Sequence, residues 1–220
     1  MKKLLVFPIF LLFVTSGFAQ KWKPIHIDDS VQVSLPGEFT KKDTLGQIIF
    51  NAESSFGEII ITKQPDNSIS TPDIEKVKHL KIYYDDFIKR IKTSSNGIVS
   101  DERDTVIGKL KVKDFKLEID SGSGKQYRNI RILHENSSTY TFQFLYKDIH
   151  KDYAKTEIDT FFSSITIPPS AAVSTQFTDP QNTTGKAPVT NSSIYLIIGA
   201  VVVILIIIAV ILMRKRRKSH

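Results

Sequence analysis

Two stretches of the 220-residue chain are almost wholly apolar and carry no charge, and they lie near its two ends. The first, Leu4–Val14, follows Lys2 and Lys3 and leads into small residues at Gly17 and Ala19. A basic start, a short apolar run and a small-residue exit predict a secretory signal peptide over 1–19, cut between Ala19 and Gln20. The second stretch, Ile194–Met213, is long enough at about 1.5 Å per residue to cross a hydrocarbon core about 30 Å thick. Arg214, Lys215, Arg216, Arg217 and Lys218 follow it at once. An apolar helix closed by cations predicts a stop-transfer anchor with residues 214–220 as a basic cytoplasmic tail. A lipid-anchor signal would instead end in the apolar run itself.

Between these ends the pattern changes period. Val31, Val33 and Leu35 alternate up to the turn at Pro36-Gly37, and Ile48 and Phe50 alternate before a turn near Ser55–Gly57 and a second strand in EIIITKQ. Period two with a glycine turn predicts strands and a hairpin. Thr71-Pro72-Asp73 then offers a cap, a proline and an acid, as a helix start requires. Ile74, Val77, Leu80, Tyr84, Phe87 and Ile91 follow at steps of three or four, and Asn96-Gly97 marks the stop. Four more strands are predicted over 98–107, 110–119, 127–134 and 139–147. In the second of them the apolar positions switch from even to odd, which predicts a bulge near Lys113-Asp114. A short helix over 151–162 and a last strand over 164–167 complete the domain. Residues 168–193, rich in Pro, Ser, Thr and Asn, read as a flexible stalk.

Strands, helix, strands, helix make an α+β domain over 20–167, with an antiparallel β-sheet, one long and one short packed helix, and a single C-terminal transmembrane helix beyond it. The segment VSLPGEF at 33–39, the long helix after the first hairpin, the glycine-turned meander and the closing Tyr140-Thr-Phe-Gln-Phe…Phe161-Phe162-Ser163-Ser164-Ile165 together resemble the PsbP-like family. That family shares its fold with a Ran-binding nuclear import factor. The resemblance covers most of 24–167 and implies an antiparallel sheet with helices packed on it. It also implies a role among assembly factors, extrinsic subunits and partner-binding modules, and it supplies no catalytic set to transfer.

Charge changes the picture in one respect. The chain carries 30 Lys plus Arg against 23 Asp plus Glu, a net +7. Seven of the cations are Lys2, Lys3 and 214–218, and no acid lies in 1–19 or 194–220, so 20–193 holds 23 of each sign. The basicity marks orientation, and nucleic acid is excluded as the expected partner. The chain has no cysteine, so it carries neither a disulfide nor a thiolate site. Together with the short basic signal, this points to a bacterial cell membrane with the N-terminal domain in the periplasm. Sequons at Asn136, Asn182 and Asn191 carry little meaning there.

Candidate chemistry is sparse. His26, His79, His134 and His150 show no metal-ligand spacing, and His134 and His79 read as ordinary polar surface. Ser121-Gly-Ser-Gly-Lys125 lacks the Lys-Ser/Thr ending of a phosphate loop and reads as a hairpin turn. The pairs Asp28-Asp29, Asp85-Asp86 and Asp101-Glu102 are sequence neighbours whose side chains diverge, and read as solvated surface. Tyr140, Phe142, Phe144 and Tyr146 share one parity and read as core, any exposed part being a candidate contact surface. No catalytic residue, metal or cofactor is therefore expected. The leading expectation is a membrane-tethered binding or assembly module facing a protein or envelope component. An enzyme with a dispersed site is the main alternative, followed by a protein whose RKRRK tail binds anionic lipid or a cytoplasmic partner.

Overall fold

A computed structural model describes residues 21–44, 46–67, 71–120, 122 and 124–178. The Ala19–Gln20 junction, residues 179–193, Ile194–Met213 and Arg214–Lys218 lie outside the described residues. Among the described residues no helix is long and apolar enough to cross a membrane.

The centre is a seven-stranded antiparallel sheet in the order β3(Phe39–Thr44), β4(Gln47–Glu53), β5(Glu58–Pro65), β9(Ser138–Lys147), β8(Lys125–Glu135), β7(Leu110–Asp120), β6(Ile98–Ile107). A separate hairpin, β1(Trp22–His26) with β2(Gln32–Pro36), lies on one face. Helix α2(Lys155–Ser163) lies on that same face, where Phe161 packs on Phe144. The opposite face carries α1(Val77–Ser95).

Two cores result, one on each side of the sheet. Val31, Val33 and Leu35 of the hairpin meet Phe50, Ile59, Ile61, Tyr140, Phe142, Phe144 and Phe161 in the larger one. Leu80, Tyr83, Tyr84 and Ile88 of α1 meet Phe115, Leu117, Ile130 and Ile132 in the smaller. This arrangement corrects the predicted bulge at Lys113-Asp114. The register of β7 on β8 is unbroken from Val112 to Asp120, and the parity switch arises because Leu110 and Val112 fill one core while Phe115 and Leu117 fill the other. A sheet covered on both faces permits that without an extra residue. The irregularity lies in the partner strand, between Ser100 and Arg103, where Asp101 takes a φ of 55°.

Other boundaries also move. Thr71-Pro72-Asp73 does not start the helix: α1 begins at Val77, with Lys76 extended at the cap position. Ile74 is fully buried but outside the helix, and Val77 is exposed. The stop at Asn96-Gly97 holds, with Asn96 left-handed at φ 50°. The short helix begins at Lys155, after a turn over 148–154, and the last strand reduces to one bridge, Thr166 to Gln32. Residues 168–178, read as the start of a stalk, pack on the domain instead. Val173–Gln176 form a 3-10 turn, and Ala171 and Gln176 are buried.

The turn between β4 and β5 makes a test of this packing. A Cβ on Gly57 would lie 2.3 Å from the Leu145 carbonyl oxygen and 2.5 Å from the Phe144 ring. Neither a strand carbonyl nor a ring locked in the core can retreat cheaply. Gly57→Ala is therefore expected to cost about 2–3 kcal/mol by urea unfolding, and an unchanged midpoint would contradict the close approach.

Candidate functional site

A cluster of buried polar and ionisable groups lies at one end of the sheet, where β5 and β8 finish, while other perturbed groups lie elsewhere, Lys125, Tyr127 and Tyr146 toward the opposite end and Lys81 and Asp85 on α1. Its residues come from the loop after β1, the end of β5, α1 and the tip of the β8–β9 hairpin, with the uncharged C-terminal 171–178 packed against them. The sequence signals for this gathering are weak, because the segments are far apart in the chain.

Asp28 opens the cluster. One of its carboxylate oxygens accepts the Ser30 N–H at 2.8 Å and the Val31 N–H at 3.0 Å, a local turn of the kind aspartate favours. The other accepts the Lys63 ammonium and, at 2.5 Å, the Tyr140 hydroxyl. Burial pushes the Asp28 carboxyl up, but the bonds from Lys63, Tyr140 and Ser30 outweigh it and hold the carboxyl below its ordinary value. Burial first, and then the bond to Asp28, push the Tyr140 phenol far up. The solvated-surface reading of Asp28 is thus corrected: every donor aimed at it comes from the fold. Lys63, which no motif singled out, supplies the counter-charge and lies over the Tyr140 ring.

Glu135 lies near this group without a cation of its own. It is 2% exposed, and its Oε2 has no hydrogen-bond partner. Its Oε1 lies 3.5 Å from the Thr175 hydroxyl. Burial raises its carboxyl, helped by the charge of Asp28.

On the other side of β8 sits His134, read from sequence as surface and found fully buried. Its Nδ1 lies 2.9 Å from the Gln176 carbonyl oxygen and its Nε2 3.0 Å from Asp66 Oδ2. The Tyr83 ring meets it edge-on, and the Tyr84 hydroxyl accepts its backbone N–H. Burial raises both tyrosines. Gln176, also fully buried, donates to the carbonyls of Lys111 and His134 and accepts the Lys111 N–H. A glutamine in a Ser/Thr-rich tract carries no sequence signal for such a role.

Chemically most of this cluster is closed partnerships, Glu135 Oε2 being the exception. A general base needs a free lone pair facing a reactant; the oxygens of Asp28 and both ring nitrogens of His134 already face protein groups. The neighbouring surface cavity, about 280 Å³, is lined by His26, Asp29, Ser30 and Gln32 with Thr166–Pro169. It takes no side chain from Lys63, Tyr140 or His134.

The other candidates separate. Gly122 and Gly124 hold positive φ in the turn joining β7 to β8, as a hairpin requires. His79 faces Glu75 on the helix surface, and His150 meets the Phe56 carbonyl. Among the described residues no group of three or more His, Cys, Asp or Glu could hold a metal ion. The stripe Tyr140, Phe142, Phe144 and Tyr146 is at most 6% exposed and offers no contact surface. Exposed apolar side chains occur on β3 (Phe39), on α1 (Val77 and Ile82), on β6 (Val106) and at the far end of the sheet. Ile98, Ile149 and Tyr153 are 66%, 75% and 65% exposed, and Tyr153 stacks on Phe56 at 5.8 Å.

No protein-family model matches the chain, and no curated protein matches it. Solved structures do. Cyanobacterial PsbP from Synechocystis superposes with a TM-score of 0.52 at 12% identity, over 70% of this chain and 96% of that one. LpqN of Mycobacterium tuberculosis, described as involved in cell envelope biogenesis, gives 0.41 at 11% identity, over 69% and 92%. The Ran-binding protein Mog1p of Saccharomyces cerevisiae gives 0.41 at 6% identity, over 73% and 100%. With the strand order and the two flanking helices already in place, the first of these fixes the architecture: the chain has the PsbP-like fold.

Proposed function

We propose that the protein is a membrane-tethered, extracytoplasmic binding or assembly module that works by surface contact and not by catalysis. The observation that carries this reading is the division of labour between the two ends of the sheet. At one end Asp28, Lys63, Tyr140, Asp66 and His134 are committed to one another and to the C-terminal segment, so their chemistry is structural. At the other, the exposed Tyr153 stacks on the half-buried Phe56 and, with the exposed Ile149 of the same turn, makes a small apolar platform. The chain leaves the described domain at Thr178, held to Ile74 beside the start of α1. The platform, next to the end of β9, is at the opposite end of the strands. A tether running on from Thr178 to the apolar 194–213 would present that platform away from the membrane.

The fold supports this reading only at the level of architecture, because folds host many functions. The chain's charge balance over 20–193 adds to it: with 23 charges of each sign, net charge gives no long-range steering, and recognition falls to local apolar contact.

Fractionation tests the tether. The full chain is expected in the membrane fraction after alkaline washing, starting at Gln20, with its domain degraded by protease added to the outer face. Recovery in the soluble fraction, or a domain protected from outside protease, would remove this reading.

A further inference from the structure

We infer that β6 is a pairing edge, and that a second copy of this chain fills it by laying its own β6 antiparallel to the first. The seven-stranded sheet has two edges, β3 and β6. β3 carries Lys41 and Lys42 among six exposed residues, and lysines of this kind keep an edge unpaired. β6 is ten residues long and has neither lysine nor proline. Among the described residues no strand pairs with its outer side. Ile98 and Val106, near its two ends, are 66% and 60% exposed.

The sequence of β6, IVSDERDTVI, has nearly the same chemistry read in either direction. A two-fold axis between Glu102 and Arg103 sets Ile98 opposite Ile107, Val99 opposite Val106 and Ser100 opposite Thr105, each pair occurring twice. In a regular strand this register fails, because the two numbers of every pair differ by an odd count and their side chains point to opposite faces. The bulge removes the conflict. Ile98, Ser100, Thr105 and Ile107 pair with Glu118, Lys116, Val112 and Leu110 of β7, all on the hairpin face. Val99 and Val106 pair with Leu117 and Lys111, on the α1 face. The extra residue between Ser100 and Arg103 moves the second half of the strand across by one face. Both apolar pairs and the hydroxyl pair then meet side by side. A bulge ordinarily blunts an edge; here it makes the edge complementary to itself, as a two-fold contact requires.

The centre limits the strength of the contact. Asp101 and Asp104 of the two copies approach one another there. Lys113, 3.1 Å from Asp104, and the exposed Arg103 offset that repulsion. The dimer is accordingly a reversible one, at the small end of interface sizes. The axis runs along the sheet normal, so Thr178, held to Ile74 of the α1-side core, lies on the same side of both copies and at opposite ends of the strands. On the preceding reading, residues 179–193 extend to at most about 50 Å, enough for both copies to share one membrane with their platforms directed along its plane. The pairing itself does not rest on that reading.

The absence of cysteine from the chain permits a position-specific test. Full-length Ser100→Cys and Thr105→Cys chains, differently tagged, are mixed in detergent micelles and oxidised mildly. Directly opposite strand residues come within disulfide reach, so the mixture is expected to give a mixed-tag disulfide dimer. Ser100→Cys alone should give none, since its own counterpart lies five residues along the strand, roughly 17 Å away. Ile98→Cys mixed with Ile107→Cys provides an independent pair, and Ser100→Cys mixed with Thr40→Cys on β3 should stay unlinked. Val106→Lys in both chains, an exposed change that sets an ammonium against the opposite Val99, should lower the yield about tenfold. No dimer from either opposed pair overturns the proposal. Equal yields from Ser100→Cys alone or from the β3 mixture overturn it as well, because the micelle would then be bringing copies together at random.

Discussion

Ending the domain at residue 167 instead of 178 is expected to lower its stability by about 4–7 kcal/mol, measured by urea unfolding of fragments 20–167 and 20–178. The shorter fragment loses seven hydrogen bonds to the rest of the domain besides the long 3.5 Å contact of Thr175 with Glu135. Three run between the Gln176 side chain and the backbones of Lys111 and His134, and one joins His134 Nδ1 to Gln176 O. Two tie Ile74 to Thr178, and one joins the Asn136 amide to Thr175. At about 0.5–1.5 kcal/mol each, partly returned where water can reach the freed groups, they account for most of the loss. The rest is apolar: Phe177 packs on the α1 core and Ala171 on the other. Gln176→Ala alone should cost about 2–4 kcal/mol, because it strands the Lys111 and His134 backbone groups in a dry site. Equal midpoints for the two fragments would show that 168–178 belongs to a stalk after all.

Asp28→Ala carries the second large effect, expected at about 3–4 kcal/mol. The substitution removes one side chain and leaves four donors behind: two amides, the Tyr140 hydroxyl and the Lys63 ammonium. The ammonium matters most, since a partly buried charge without its partner costs more than the pair ever contributed. Lys63→Met in the same background should recover part of the loss, as removing both charges is cheaper than removing one. The acid limb follows from the same bonds. The folded Asp28 carboxyl sits below its ordinary 3.8, so its contribution is present above pH 4 and disappears as pH falls through the lowered value. In Asp28→Asn that part of the acid dependence should be missing. An Asp28→Ala protein as stable as the parent would mean that the four donors find water or other partners.

The sheet was legible in the chain because its signals are local. Alternation at 31–35 and 48–50, the glycine turn at 122–124 and the single parity of Tyr140, Phe142, Phe144 and Tyr146 each place a strand without reference to its neighbours. Where the fold uses both faces of a strand, as in β7, the same alternation misled: a switch of parity reports a change of core as readily as a bulge. The helix start failed for a related reason. Thr71-Pro72-Asp73 has capping chemistry, but Ile74 is drawn into the core by its bonds to Thr178, a residue 104 positions away. The candidate site was least legible. Asp28, Lys63, Glu135, His134 and Gln176 carry no shared motif, and only the pairing of β5 with β9 and β9 with β8 brings them to one end. Gln176 shows the limit plainly, since its composition reads as linker and its position reads as core.

Surface contact at the end of the sheet away from Thr178 is tested most directly by site-specific photo-cross-linking in intact native membranes. A photoreactive residue at Ile149 or Tyr153 is predicted to yield the same discrete adduct in repeated preparations, with none from Lys89 on the solvent face of α1. Adducts that vary between preparations, or that form equally from Lys89, would contradict a dedicated contact surface and leave the platform as ordinary exposed apolar area.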